Sequence, residues 1–340
     1  MDDASLRELG VHRIPIPVPF LHAGGPVNVY LVEERGGGVF MFDSGLGTPQ
    51  AVAALEEGFR RAGRRFEDVS RIVVSHGHVD HYGGALSVIE RAQRDVLVQA
   101  HAADVPKIAE SGRSWAELAP RYEAHLARLG VPAGALPAIT REVGLGFALA
   151  RRLPEVTPVQ PGAVIAAGHL SLEVHHMPGH TPGLICLYDA RSRLLFSSDH
   201  LLEKVSPNPI IELGPDGGEG RFRPLVSYLE SASHARALDV ELVLPGHGPP
   251  FAGHRSVIDG LLSFYAKRQA RLRDALARGP LTGYELTRVL FPWARTGDLF
   301  LTVSETIANL EVLELRGAVT RHLEDGVYLF HRLGDVGPPG

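Results

Sequence analysis

Six consecutive residues, His76-Gly77-His78-Val79-Asp80-His81, hold three imidazoles and a carboxylate. That mixture makes poor core material and a good set of metal ligands. The spacing divides four donors between two adjacent cations more readily than it closes one tetrahedral site. Three further donors sit in similar surroundings: His180 in Met177-Pro178-Gly179-His180-Thr181-Pro182-Gly183, Asp199 after Leu194–Ser198, and His247 in Pro245-Gly246-His247-Gly248. Together they give seven candidates: His76, His78, Asp80, His81, His180, Asp199 and His247. Two four- or five-coordinate cations that share a carboxylate and a water need about that many donors. Imidazole with carboxylate favours zinc and also admits iron or manganese.

The elements around these donors read as strand ends. Arg71–Ser75 is a short β-branched run, and after the cluster Tyr82-Gly83-Gly84 opens a helical segment, Ala85–Ala92. Ligand sites in α/β proteins lie at such carboxyl ends of strands. Val11–Phe20 alternates proline with aliphatics and suits an edge strand. Val27–Val32 and Val39–Phe42 read as strands joined through Gly36-Gly37-Gly38, followed by Asp43-Ser44-Gly45. Thr48 then caps a helix with Pro49 at its first position, running to Gly63. Strand patterns recur at Val96–Ala100, Ala163–Ala166, Leu170–Val174, Leu184–Tyr188, Leu194–Ser197 and Glu241–Leu244. Alternating strands and helices on short links predict a layered α/β domain. Residues 102–152 lack strand signals and read as a helical insertion. Past His254 come three helix patterns, Val257–Ala277, Tyr284–Leu290 and Val303–Leu315. A hairpin over Val319–His331 follows, so residues 255–334 have a winged-helix outline and 335–340 a tail.

HGHVDH followed in this order by His180, Asp199 and His247 resembles the metallo-β-lactamase superfamily over roughly residues 10–255. The resemblance implies a four-layer αβ/βα sandwich as the catalytic domain, residues 1–254. It places one cation on His76, His78 and His180 and the other on Asp80, His81 and His247, with Asp199 bridging. Asp80 and Asp199 are the candidate catalytic carboxylates, and Asp43 would accept a hydrogen bond behind the ligands and steady the loop. A hydroxide held between two such cations exists near neutral pH and attacks an ester-like carbonyl or a phosphorus. The antibiotic-hydrolysing members match poorly, because they lack the bridging aspartate and several use a cysteine that Cys186 does not supply. Glyoxalase-II-like thioesterases, lactonases, phosphodiesterases and endoribonucleases keep all seven donors, and iron persulfide dioxygenases share much of the pattern with one metal.

The expected activity is hydrolysis of a small ester, thioester or lactone, with a phosphodiesterase or endoribonuclease on single-stranded RNA, or a mononuclear iron persulfide dioxygenase, as alternatives. The C-terminal segment Ser304–Leu310 with Arg316–Val319 looks like the appendage of LACTB2-like members, which are linked to RNA cleavage. From His254 onward, however, eleven Lys and Arg face ten Asp and Glu, and nucleic-acid binding normally needs a basic patch. Only Lys267–Arg273 supplies one, so packing or a homodimer contact is preferred for this domain. His22, Tyr82 and Asn208 are candidates for the substrate pocket, each with a plain packing or turn role as the alternative. His175, His176 and His200 read as packing or surface residues, and His101 and His169 as surface.

Composition narrows the partners. A net charge of -5 gives no whole-protein pull toward nucleic acid or anionic membrane. The single cysteine excludes an intrachain disulfide and fits a reducing compartment. No apolar run approaches the roughly 20 residues of a spanning helix, and no signal-peptide pattern is visible at the first residues. The expectation is a cytoplasmic enzyme with a small-molecule substrate.

Overall fold

The computed structural model describes residues 3–19, 24–109, 114–149, 151–213 and 222–333. It forms two compact units. The first comprises Met1–Arg113, Phe147–Pro207 and Ser231–Ile258, and the second Ser114–Gly146, Asn208–Glu230 and Asp259–Gly340. Six strands build one sheet in the order of the chain: β1 (Val11–Ile16), β2 (Val27–Glu33), β3 (Val39–Phe42), β4 (Val69–Val73), β5 (Leu97–His101) and β6 (Thr157–Val159). Five build a second: β7 (Val164–Ala167), β8 (Leu170–His176), β9 (Ile185–Asp189), β10 (Leu194–Ser198) and β11 (Leu242–Pro245). A small third sheet joins β12 (Leu281–Thr282), β13 (Val319–Glu324) and β14 (Val327–Arg332), with β14 in the middle.

The helices are α1 (Asp3–Glu8), α2 (Pro49–Arg61), α3 (Val79–Tyr82), α4 (Ala85–Ala92), α5 (Val105–Ile108), α6 (Trp115–Arg128), α7 (Leu136–Ala148), α8 (Pro224–Ala237), α9 (His254–Leu276), α10 (Gly283–Leu290) and α11 (Leu299–Leu315). Among the described residues, no helix is long and apolar enough to cross a membrane.

Strand periodicity explains the layers of the first unit. Along β2, Val27, Val29 and Leu31 join a core with Leu55 and Phe59 of α2 and Val88 of α4. Tyr30 and Val32 point the other way, into a core shared with Leu172, Val174, Leu187, Phe196 and Leu244 of the second sheet. β3 does the same, with Val39 and Met41 on one side and Phe40 and Phe42 on the other. Burial on both faces is why these strands read as unbroken apolar runs rather than alternating ones. Phe196 fills the space between the sheets edge-on to Tyr30, with ring centroids 5.4 Å apart, and to Phe42 at 5.9 Å. On the outer face of the second sheet, His175 of β8 meets His234 of α8 at 3.2 Å. The result is helix, sheet, sheet, helix.

The first sheet is antiparallel through β1–β3 and parallel from β3 to β6. β10 lies parallel to β11, and the register slips between Phe196 and Ser198. In the second unit, Leu126, Leu129 and Ile139 of the predicted insertion pack with Leu272, Leu286, Leu290, Val303 and Phe330. α11 is buried on every side from Thr302 to Leu313, including Ser304, Glu305, Thr306, Asn309 and Glu311. Its polar positions are met within the same unit: Ser304 Oγ accepts from the Ile211 amide at 3.2 Å, and Arg268 pairs with Glu305 at 2.9 Å.

Candidate metal centre

All seven predicted donors lie in the first unit and converge at strand ends. His76 and His78 follow β4, Asp80 and His81 sit in α3, His180 follows β8, Asp199 follows β10 and His247 follows β11. Their ligand atoms form three overlapping groups: His76, His78 and His180; His76, His81 and Asp199; and Asp80, His81 and His247. Within each group the atoms lie within 4.8 Å of one another. Asp199 links the groups, with Oδ1 3.5 Å from His81 Nε2 and Oδ2 3.5 Å from His180 Nε2 and 3.6 Å from His247 Nε2. Asp80 Oδ2 is 3.4 Å from His247 Nε2 and 3.9 Å from His81 Nε2.

The backs of the rings decide which nitrogen faces inward. Asp43, buried after β3, accepts from His81 Nδ1 at 2.8 Å, from the Ser75 amide at 2.7 Å and from Ser75 Oγ at 2.9 Å. Ser75 Oγ in turn lies 2.9 Å from His76 Nδ1, and His247 Nδ1 donates to the Gly25 carbonyl at 3.0 Å. Three imidazoles thus spend Nδ1 on a support and turn Nε2 toward the centre, the usual arrangement behind metal-binding histidines. Asp43 and Ser198 both adopt positive φ, +62° and +45°. Left-handed backbone costs a non-glycine residue about 1–2 kcal/mol, so the strain sits where β3 and β10 deliver Asp43 and Asp199.

Charge follows from burial and neighbours. Burial first, and the neighbouring rings second, hold His76 and His78 well below the ordinary imidazole value. Both therefore offer neutral lone pairs. Burial pushes His81 down too, but Asp199, Asp43 and Asp80 together outweigh it and lift His81 well above that value. His247 is raised in the same way by Asp199 and Asp80. Burial opposes ionisation of Asp199 and Asp80, yet the surrounding imidazoles keep both below the usual carboxylate range. His81 Nε2 and Asp199 Oδ1 are buried without a hydrogen-bond partner among the described residues. These two atoms face each other at 3.5 Å, longer than an ordinary hydrogen bond, and such a gap within a set of imidazoles and carboxylates fits divalent cations.

Two residues passed over in the sequence reading also build the site. Asn28 interrupts the apolar run of β2, and its Nδ2 donates to Pro245 O at 2.9 Å and Gly248 O at 2.7 Å, pinning the loop that carries His247. A polar residue buried in such a strand needs partners, and that was the available signal. Gly246 lies so close to Asp199 Oδ1 and His81 that a β-carbon would collide with both. Tyr82 packs in the first core and its hydroxyl donates to Lys107 O at 3.3 Å. Asn208 belongs to the second unit, with Nδ2 3.5 Å from Leu301 O. His22 lies outside the described residues. His200, expected to be packing or surface, is fully buried, and burial holds it down to about 3.

With sandwich, donors and supports in place, the comparisons agree on the class. The metallo-beta-lactamase superfamily profile matches residues 22–247, and the chain belongs to that superfamily as a metal-binding hydrolase. It is 31% identical over 323 residues to the probable metallo-hydrolase YqjP of Bacillus subtilis (strain 168), covering 94% of this chain and 97% of that one. It is 29% identical over 260 residues to the acyl-coenzyme A thioesterase MBLAC2 of Homo sapiens, covering 73% and 82%. Among solved structures it is similar to the metallo-beta-lactamase family protein TTHA1429 from Thermus thermophilus (TM-score 0.78, 29% identity, 95% and 99% covered). A beta-lactamase domain protein from Burkholderia ambifaria is also similar (TM-score 0.81, 25% identity, 95% and 92% covered).

Proposed function

We propose that the chain is a dinuclear hydrolase of small esters, thioesters or lactones, with a thioester favoured and zinc as the first choice of cation. The observation that carries this reading is the convergence of three overlapping donor groups on Asp199. His76, His78 and His180 would hold one cation, Asp80, His81 and His247 the other, and Asp199 both. Such a pair supplies a water acidified toward neutral pH and a positive charge for the oxygen that gains charge.

The protein's own side chains prepare that chemistry. Asp43 Oδ2 holds the proton of His81 on Nδ1, and Gly25 O does the same for His247, so both rings keep one orientation. Asp80 and Asp199 are held ionised, so neither donates a proton to a leaving group. A thiolate needs no such help, because a thiol has a pKa near ~8.5. That chemistry, together with the likeness to MBLAC2, supports an acyl thioester.

The RNA reading gains less support. From His254 onward eleven Lys and Arg are balanced by ten Asp and Glu, which leaves little of the basic surface that tracks a single-stranded backbone. The reading favoured here for the winged-helix-like segment is a packing module. The test is metal analysis of the purified chain with a screen of acyl-coenzyme A thioesters, lactones, phosphodiesters and single-stranded RNA. Two ions per chain and thioester turnover lost in Asp199→Ala are expected. One iron per chain, or RNA cleavage without thioester turnover, would overturn the reading.

A further inference from the structure

Asp104 is fully buried at the residue preceding α5, in the position of a helix cap, yet its side chain makes no capping hydrogen bond. An aspartate there would normally satisfy the first amides of its own helix. Here both oxygens are turned to two other loops. Oδ2 accepts from the Gly77 amide at 2.8 Å and from Thr181 Oγ1 at 2.7 Å. Oδ1 accepts from the Gly183 amide at 3.0 Å, with Lys107 Nζ 4.0 Å away. Gly77 separates His76 from His78, and Thr181 and Gly183 follow His180. The approach is tight: a β-carbon on Gly183 would fall 2.7 Å from Asp104 Cγ.

These bonds reach only one half of the centre. His76, His78 and His180 come from loops joined at their base by one backbone bond, from the Ile185 amide to the Ser75 carbonyl at 2.9 Å, and Asp104 ties them further out, at Gly77 and at Thr181 and Gly183. The carboxylate of Asp104 bonds to Gly77, Thr181 and Gly183, residues that flank His76, His78 and His180. Asp43 has the complementary reach, to His81 directly and to His76 through Ser75. Resting on the two-cation reading, we infer that Asp104 is a positioning residue for the His76–His78–His180 half. It ties the two loops at the distance that half needs and so sets its affinity for a cation. A carboxylate suits the task because it accepts three hydrogen bonds without presenting a donor. Asn in its place would set an amide N–H against one of those donors.

The test is zinc binding by the full chain against a graded chelator, in two backgrounds. In His247→Ala, which cripples the other half, Asp104→Ala should weaken the remaining ion by about 10–100-fold, the usual scale for a lost support behind metal ligands. In His180→Ala, whose remaining ion would sit on Asp80, His81, His247 and Asp199, Asp104→Ala should change nothing. Thr181→Val removes one hydroxyl donor at nearly constant shape and should show the same dependence on background, with a smaller loss. Equal weakening in both backgrounds would make Asp104 a general structural residue and overturn the inference, as would no weakening in either. A wild-type chain that itself binds one ion would overturn the two-cation reading and this inference with it. Wild type at two ions with Asp104→Ala unchanged would overturn the inference alone.

Discussion

The left-handed backbone at Asp43 makes one substitution informative. Asn tolerates that conformation almost as well as Asp, so Asp43→Asn should fold while losing the acceptor behind His81. Metal affinity or kcat/KM should fall by about 10–100-fold, read by metal retention on dialysis and by steady-state rates. Gly246→Ala should be harsher, because its β-carbon displaces Asp199 and His81 together. The charges at the centre add a pH dependence. His81 and His247 keep their protons above the ordinary imidazole range, and a cation needs those nitrogens bare. Zinc added to the metal-free protein at neutral pH should therefore release protons, and affinity should fall as pH is lowered. An indicator dye in weak buffer measures both. The seven donors were legible because clustered His and Asp at strand ends have few other uses. Asp104 was not, since an aspartate before a helical turn reads equally well as an ordinary cap.

At the scale of elements, legibility followed the size of the buried side chains. β2, β3 and α2 were read to within a few residues, because large aliphatics and the Thr48-Pro49 start mark them. α8 was passed over. It buries Leu225, Tyr228, Ala232 and Ala235 at helical spacing, but two of the four are alanine and the stripe is faint. β12 escaped because two residues carry no periodicity, and β6 because Pro158 occupies the middle of three. α10 begins with a reciprocal cap, in which Thr282 Oγ1 accepts from the Glu285 amide at 3.1 Å and Glu285 Oε2 accepts from the Thr282 amide at 2.8 Å. Thr282→Ala should cost about 1 kcal/mol, measured by urea unfolding. The near balance of basic and acidic residues from His254 onward carries a second expectation. Any RNA retention by the chain should be weak and should lack the steep salt dependence of phosphate contacts, as checked by titration at two ionic strengths.

Across the whole molecule, the donors span His76 to His247 and all belong to the first unit. Ligands that bind only the folded state stabilise it by mass action. With each cation at about 100 times its Kd, that amounts to about 2.7 kcal/mol per site. Chelation should therefore lower the thermal transition of the first unit, followed by calorimetry with and without chelator. Because the chain has two compact units, the scan should be fitted to more than one transition.

The hold of Asn28 on Pro245 and Gly248 has a consequence for biosynthesis. An early strand and the last loop of the same unit clasp one another, more than two hundred positions apart along the polypeptide. While the ribosome is still making α8, five donors and the bridging carboxylate exist, but their seventh companion and its anchor do not meet. Capture of the cation that needs His247 would thereby wait until the unit is nearly complete, whereas His76, His78 and His180 are already present to hold the other. A nascent chain stalled before β11 should hold zinc more loosely than one released after it.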